Sequence, residues 1–195
     1  MPVELYAAAT TRPDAIFCDT SFIVDLLTND VPAFAAYLRD VNPGKIARAA
    51  ESATFFKVYK GAGVRFVSTP YTFQEVSHLV ADGALRKAGY RRWRDFDAID
   101  SAASTAAYAS MARAIGDAWT RVQAYGIEFS VPQPSSTAHW DEVIEMAILL
   151  LTSYPDLNAM DAFHISVGLR SGLTWYASLD SGWKTVAEIN VFSAN

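Results

Sequence analysis

The chemistry this sequence offers rests on carboxylates in matching contexts: Asp19, Glu75, Asp161 and Asp180. Asp19 directly follows the apolar run Ala15-Ile16-Phe17-Cys18, and Asp180 ends the run from Leu173 to Leu179. Glu75 and Asp161 stand in the early turns of two apolar helical stretches, YTFQEVSHLVA and MDAFHISVGLRSG. Carboxylates that converge repel one another, and burial raises their pKa unless a positive charge joins them. A hard divalent cation is the usual remedy. Mg²⁺ takes oxygen ligands, needs few from the protein and keeps several waters. No cluster of Cys and His competes for a softer metal. An all-oxygen Mg²⁺ or Mn²⁺ site suits phosphate chemistry. Each acid also has a plainer use: Asp19 as a helix cap, Asp180 in a turn, Asp161 as an acid favoured by a helix dipole, Glu75 facing solvent.

Strands and helices must alternate to bring these groups together. Ala15 to Cys18 reads as a buried strand, and Phe22, Ile23, Leu26 and Leu27 continue it at helical spacing. Val64 to Ser68 alternates as a second strand, and Thr69-Pro70 opens the next helix. Later strands are expected near 127–131, 173–179 and 188–192, with helices at 45–59, 139–151 and from Met160 to Gly172. Such alternation predicts a parallel sheet, whose strand C-termini and helix N-termini collect on one edge. Residues 1–14 read as an irregular lead-in. The block from Gly83 to Tyr125 reads as one or two long helices, Ala-rich in its second half.

Length and composition set the frame. At 195 residues, 51% hydrophobic and 19% charged, the chain can bury a large core and is not disordered. The net charge of −5 excludes a uniformly basic coat. The lone Cys18 permits no internal disulfide and reads as a small buried hydrophobe. No apolar run approaches the roughly 18 residues that span a bilayer, and no signal peptide is visible. A cytoplasmic protein with no membrane partner is expected.

Four segments, in order, resemble the acidic motifs of the PIN-domain nuclease superfamily: Asp19-Thr20-Ser21-Phe22, Thr72-x-x-Glu75-Val76, Asp161-Ala162-Phe163-His164-Ile165 and Ser178-Leu179-Asp180. Within it, the chain is most similar to VapC-type toxins of bacterial toxin–antitoxin pairs, over residues 15–81 and about 127–192. The resemblance implies an α/β fold of three α/β/α layers around a five-stranded parallel sheet. It also implies a single PIN-like domain over 1–195 with a helical insertion at about 83–125. It implies Mg²⁺- or Mn²⁺-dependent hydrolysis of RNA that leaves a 5′-phosphate and a 3′-hydroxyl. Asp19, Glu75, Asp161 and Asp180 would be the catalytic metal-binding set, supported by the hydroxyls of Ser21 and Ser178. The partners implied are RNA, a cognate antitoxin and a second copy of the chain.

The block after Gly83 lies outside the resemblance. Its basic residues Arg86, Lys87, Arg91, Arg92 and Arg94, interleaved with Tyr90 and Trp93, suit phosphate contact and base stacking. As a solvated helix face they would pair instead with Asp95, Asp97 and Asp100. Asp25 is expected on the exposed side of its helix, Asp156 in a turn, and His78 and His164 as packed or hydrogen-bonded neighbours of the acids. Two other functions remain open from the residues: a PIN-like scaffold that binds without cutting, and a phosphatase of the haloacid dehalogenase type. The latter needs an Asp two residues after the first, where this chain has Ser21.

Overall fold

The structure, a computed structural model, describes residues 3–35, 43–87, 101–129 and 137–194. Its strands are β1 (Val3–Leu5), β2 (Ala15–Cys18), β3 (Arg65–Ser68), β4 (Glu128–Phe129), β5 (Trp175–Ala177) and β6 (Asn190–Ser193). They form one all-parallel sheet in the order β1-β6-β5-β2-β3-β4. The helices are α1 (Thr20–Asp30), α2 (Pro32–Ala35), α3 (Pro43–Gly61), α4 (Pro70–Lys87), α5 (Ser101–Tyr125), α6 (Thr137–Ser153) and α7 (Ala159–Arg170).

The sheet has six strands, not five. The extra one is β1, in the stretch expected to be irregular. It pairs along one edge only, Val3 to Val191 and Leu5 to Ser193. A three-residue edge strand needs no buried face, and Val3 and Leu5 stay exposed, so its apolar–polar–apolar pattern is too short to stand out. What holds the lead-in down is the next turn. Tyr6 is buried against Phe22 and Phe55, with ring centroids 5.7 and 4.6 Å away. The Glu4 carboxylate accepts hydrogen bonds from the Thr10 and Thr11 amides.

The central strands are covered on both faces, and their side chains divide by alternation. Ile16 and Cys18 of β2, Ala177 of β5 and Phe192 of β6 join a core that includes α1, α3, α4 and α5 residues. Phe17, Tyr176 and Val191, one residue out of phase, join a second core with Ala147, Leu150, Ala162 and Ile165 of α6 and α7. Two cores on opposite faces are compatible with three α/β/α layers. Cys18 is fully buried, as its setting predicts. The second half of the block after Gly83 contributes to the first core through Ala114, Ala118, Val122 and Tyr125 of α5. No helix among the described residues is long and apolar enough to cross a membrane.

The second core is tightest where α7 crosses β5. A Cβ on Gly168 would clash with the Tyr176 hydroxyl and lie 2.9 Å from two ring carbons. Tyr176 cannot give way, because it is fully buried and its hydroxyl donates toward the Ile165 and Leu173 carbonyls at 3.1 and 3.3 Å. Gly168→Ala is therefore expected to cost about 1–2 kcal/mol. Overpacking of ~1–3 kcal/mol outweighs the gain in helix propensity of ~1 kcal/mol. Thermal unfolding should move down by several degrees, and adding Tyr176→Phe should return part of the loss. An unchanged midpoint would show that the crossing is looser than it looks.

Candidate functional site

β2 is where the winding of the sheet reverses. Its chain-order successor β3 lies on one side, and the late strand β5 lies on the other. In open α/β sheets ligands bind outside the strand C-termini at such a switch point. Asp19 occupies this place. Its backbone N–H donates to the Ala177 carbonyl at 3.1 Å, so the ends of β2 and β5 are joined there.

Asp19 is also the N-cap of α1, and it is 5% exposed. Its Oδ2 accepts hydrogen bonds from the Ser21 hydroxyl at 2.7 Å and the Ser178 hydroxyl at 2.9 Å. The Ser21 oxygen in turn accepts from the Leu179 amide, and the Ser178 oxygen from the Asp180 amide. The two serines thus lace the α1 N-terminus to the loop after β5. Burial raises the pKa of Asp19, offset in part by these two hydroxyls. Capping and site chemistry are not rivals at Asp19, because the cap uses one oxygen and leaves the charge.

Asp161 stands in the first turn of α7. Asn158 caps that helix, accepting from the Met160 and Asp161 amides, while the Asp161 carboxylate accepts from the Asn158 amide. The carboxyl is pushed up to about 6, first by burial and then by the charges of Asp19 and Asp180. Asp180 itself is exposed and accepts from the Gly182 amide at 2.8 Å. Asp161 therefore feels the charges of both Asp19 and Asp180.

Glu75 is half-buried and differently engaged. It accepts from the Thr20 hydroxyl, and its Oε2 lies 3.2 Å from His164 Nε2. An ionised carboxylate only accepts, so Nε2 is the donor. The His164 Nδ1 faces the Thr69 hydroxyl at 3.3 Å, which fixes the ring from both sides. Burial alone would raise the Glu75 pKa, but the hydrogen bonds from His164 and Thr20 outweigh it and hold the carboxyl below its usual value. His164 is fully buried and hydrogen-bonded, as expected of it.

All four acids line one open cleft of about 600 Å³, together with Thr20, Ser21, Val24, Arg48, Leu79, Asn158 and Leu179. A second cleft of about 600 Å³ adjoins it, sharing Thr20, Glu75 and Leu79 and adding Tyr71, Gln74, His78 and Met160. Among the described residues no three His, Cys, Asp or Glu side chains stand together as a ready-made metal cage. The donor set nonetheless fits a hard cation. It is all carboxylate and hydroxyl oxygen, and burial raises both Asp19 and Asp161, with neighbouring carboxylates adding to the rise at Asp161.

Other expectations met the structure unevenly. Arg86 and Lys87 lie in the last turn of α4, where Arg86 pairs with Asp82 at 3.2 Å. Arg91, Arg92 and Arg94 lie outside the described residues. Asp156 is exposed in a turn, as expected. Asp25 is not on an exposed side: it is 2% exposed. The reason is α3, which packs along α1 and brings Arg48 and Ser52 onto it. Arg48 donates to both Asp25 oxygens at 3.0 and 2.9 Å, and the Ser52 hydroxyl donates at 2.9 Å. Sequence reasoning missed Arg48. The available signal was the spacing of Ser21 and Asp25, which places them one turn apart on the same face of α1. In comparisons with known proteins, the chain matches no family model, no curated protein and no solved structure.

Proposed function

We propose that the chain is a metal-dependent endoribonuclease of the PIN-like type, acting as the toxin of a toxin–antitoxin pair. The observation that carries the reading is the cleft at the switch point. Asp19, Glu75, Asp161 and Asp180 line its walls together. Asp19, Asp161 and Asp180 would hold a Mg²⁺ or Mn²⁺ ion, with Glu75 contributing from the α4 side. When bound, the ion supplies an activated water and neutralises charge on the phosphodiester. The protein's own part is to orient. Ser21 and Ser178 fix the Asp19 carboxylate, Asn158 fixes Asp161, and His164 with Thr20 fixes Glu75.

The test is hydrolysis of single-stranded RNA by the full chain with Mg²⁺ or Mn²⁺, against the same reaction in a chelator. Metal-dependent cleavage is expected. Hydrolysis of small phosphomonoesters with no effect on RNA would overturn the reading in favour of a phosphatase. RNA binding without cleavage under all metals would favour a scaffold. A small neighbouring reading frame encoding a DNA-binding antitoxin, and a dimeric mass in solution, bear on the toxin and homodimer parts of the proposal.

A pH dependence follows from Asp161. Its folded pKa of about 6 lies above the ordinary carboxyl value of roughly 3.9. Between these values the folded chain binds more protons than the unfolded chain, so this group makes stability fall as pH rises through the window. Without metal, the Asp161 contribution should favour pH 5 over pH 7. Adding Mn²⁺ should raise the melting temperature at pH 7.5 and much less at pH 5, where protons compete for the same oxygens. Equal shifts at both pH values would detach Asp161 from the ion.

A further inference from the structure

The cleft is acidic, yet its substrate in the proposed reading is a polyanion. Among the described residues lining it, the basic side chain is Arg48. Arg48 is unlike a surface arginine. Its Nε and Nη2 are both committed to Asp25, which is itself buried and held by Ser52. That grip fixes the guanidinium plane while the side chain keeps 33% of its surface exposed. A guanidinium carries five N–H donors, so a two-point contact with Asp25 leaves donors over, among them both of Nη1. Asp25 lies four residues after Ser21 on α1, so the clamp's acid stands about 6 Å along the helix from the serine that holds Asp19.

A buried acid whose work is to orient a half-exposed arginine at a cleft rim makes sense if the arginine meets an anion. Planar, always-charged guanidinium is suited to phosphate, and its cost of ordering is lower when it is already held. We infer that Arg48, clamped by Asp25 and Ser52 at the rim of the acidic cleft, is an anion subsite that takes a backbone phosphodiester of single-stranded RNA next to the bond being cut. The inference rests on the ribonuclease reading. Within it, Asp25 and Ser52 are positioning residues, acting through Arg48.

The test is steady-state cleavage of a short single-stranded RNA of mixed sequence, with Mg²⁺ or Mn²⁺, at several salt concentrations. Arg48→Gln removes the charge but can still donate to Asp25. Its KM is expected to rise about tenfold or more, as for loss of a hydrogen bond to a charged group, with kcat changed by less than about threefold. The slope of log(kcat/KM) against log[salt] should flatten by roughly 0.7, the share of one single-strand phosphate contact. Should Arg48→Gln fold poorly, the pair replacement Asp25→Leu with Arg48→Met supplies a folded chain without the guanidinium, and the same changes are expected. An unchanged KM and salt slope in a folded variant overturns the subsite and leaves the nuclease reading standing. A raised KM with an unchanged salt slope assigns Arg48 to shaping the cleft and overturns it too. Wild-type chain that never cuts RNA removes both.

Discussion

For the proposed ribonuclease, Asp19→Asn is expected to reduce RNA cleavage by about a thousandfold while leaving the fold as stable as before or slightly more so. The loss follows from charge. A metal-held carboxylate site contributes several kcal/mol to phosphoryl transfer, and each ~1.4 kcal/mol is a factor of ten. The retained stability follows from geometry. Asn caps helices as well as Asp, and its side-chain oxygen can take the hydrogen bonds that Oδ2 now accepts from Ser21 and Ser178. Neutralising a buried carboxyl whose pKa is already raised also removes a desolvation cost. Cleavage rates and thermal midpoints measured on the same preparations decide the matter. Cleavage at wild-type rate would take Asp19 out of the chemistry. A large fall in midpoint would show that the negative charge supports the fold, and activity loss would then say nothing about catalysis.

This split between charge and scaffold explains which parts of the site the sequence reveals. Asp19 and Asp180 are visible because a strand running into a polar junction is a local event, readable within a few residues. Asp161 is visible for the same reason, as a capped helix start. Their convergence needs only the parallel alternation of elements, and periodicity supplies that. Glu75 shows itself only as an acid near a helix start. What makes it distinct, the contact with His164 across 89 residues of chain, has no local trace. β1 was hidden because it is an edge strand with one partner: the apolar–polar–apolar order of Val3-Glu4-Leu5 is only three residues long, and both of its apolar side chains are exposed.

Asp25 is the instructive error. Along α1, Phe22, Ile23, Leu26 and Leu27 mark the buried stripe, and Asp25 falls beside it, which reads as exposure. The stripe describes what faces the sheet. It does not describe a second helix lying on the other flank. α3 supplies that flank, and its Arg48 and Ser52 turn a polar position into a buried one. Burial of a charge is set by its partner, and here the partner is 23 residues away.

That partnership predicts an unequal double-mutant cycle. Arg48→Met strands the Asp25 carboxylate, 2% exposed, with Ser52 as its remaining side-chain hydrogen-bond donor among the described residues. Removing one member of a buried pair costs ~3–5 kcal/mol. The lower end, ~3 kcal/mol, is expected here because the pair sits near the cleft. For a chain of this size each kcal/mol moves the midpoint by about 2–4 °C, so unfolding should occur roughly 6–12 °C lower. Asp25→Leu strands a guanidinium that is already 33% exposed and can turn to water, so its cost should be smaller. The two changes together should recover more than half of the Arg48→Met loss. Well-packed apolar residues replace a buried ion pair at little net cost, and the Ser52 hydroxyl can turn back onto its own helix carbonyls. Calorimetry on the two single variants and the double reads the coupling directly. Additive losses would mean that Asp25 and Arg48 do not act as a unit, and the buried acid would then have to be explained without the arginine.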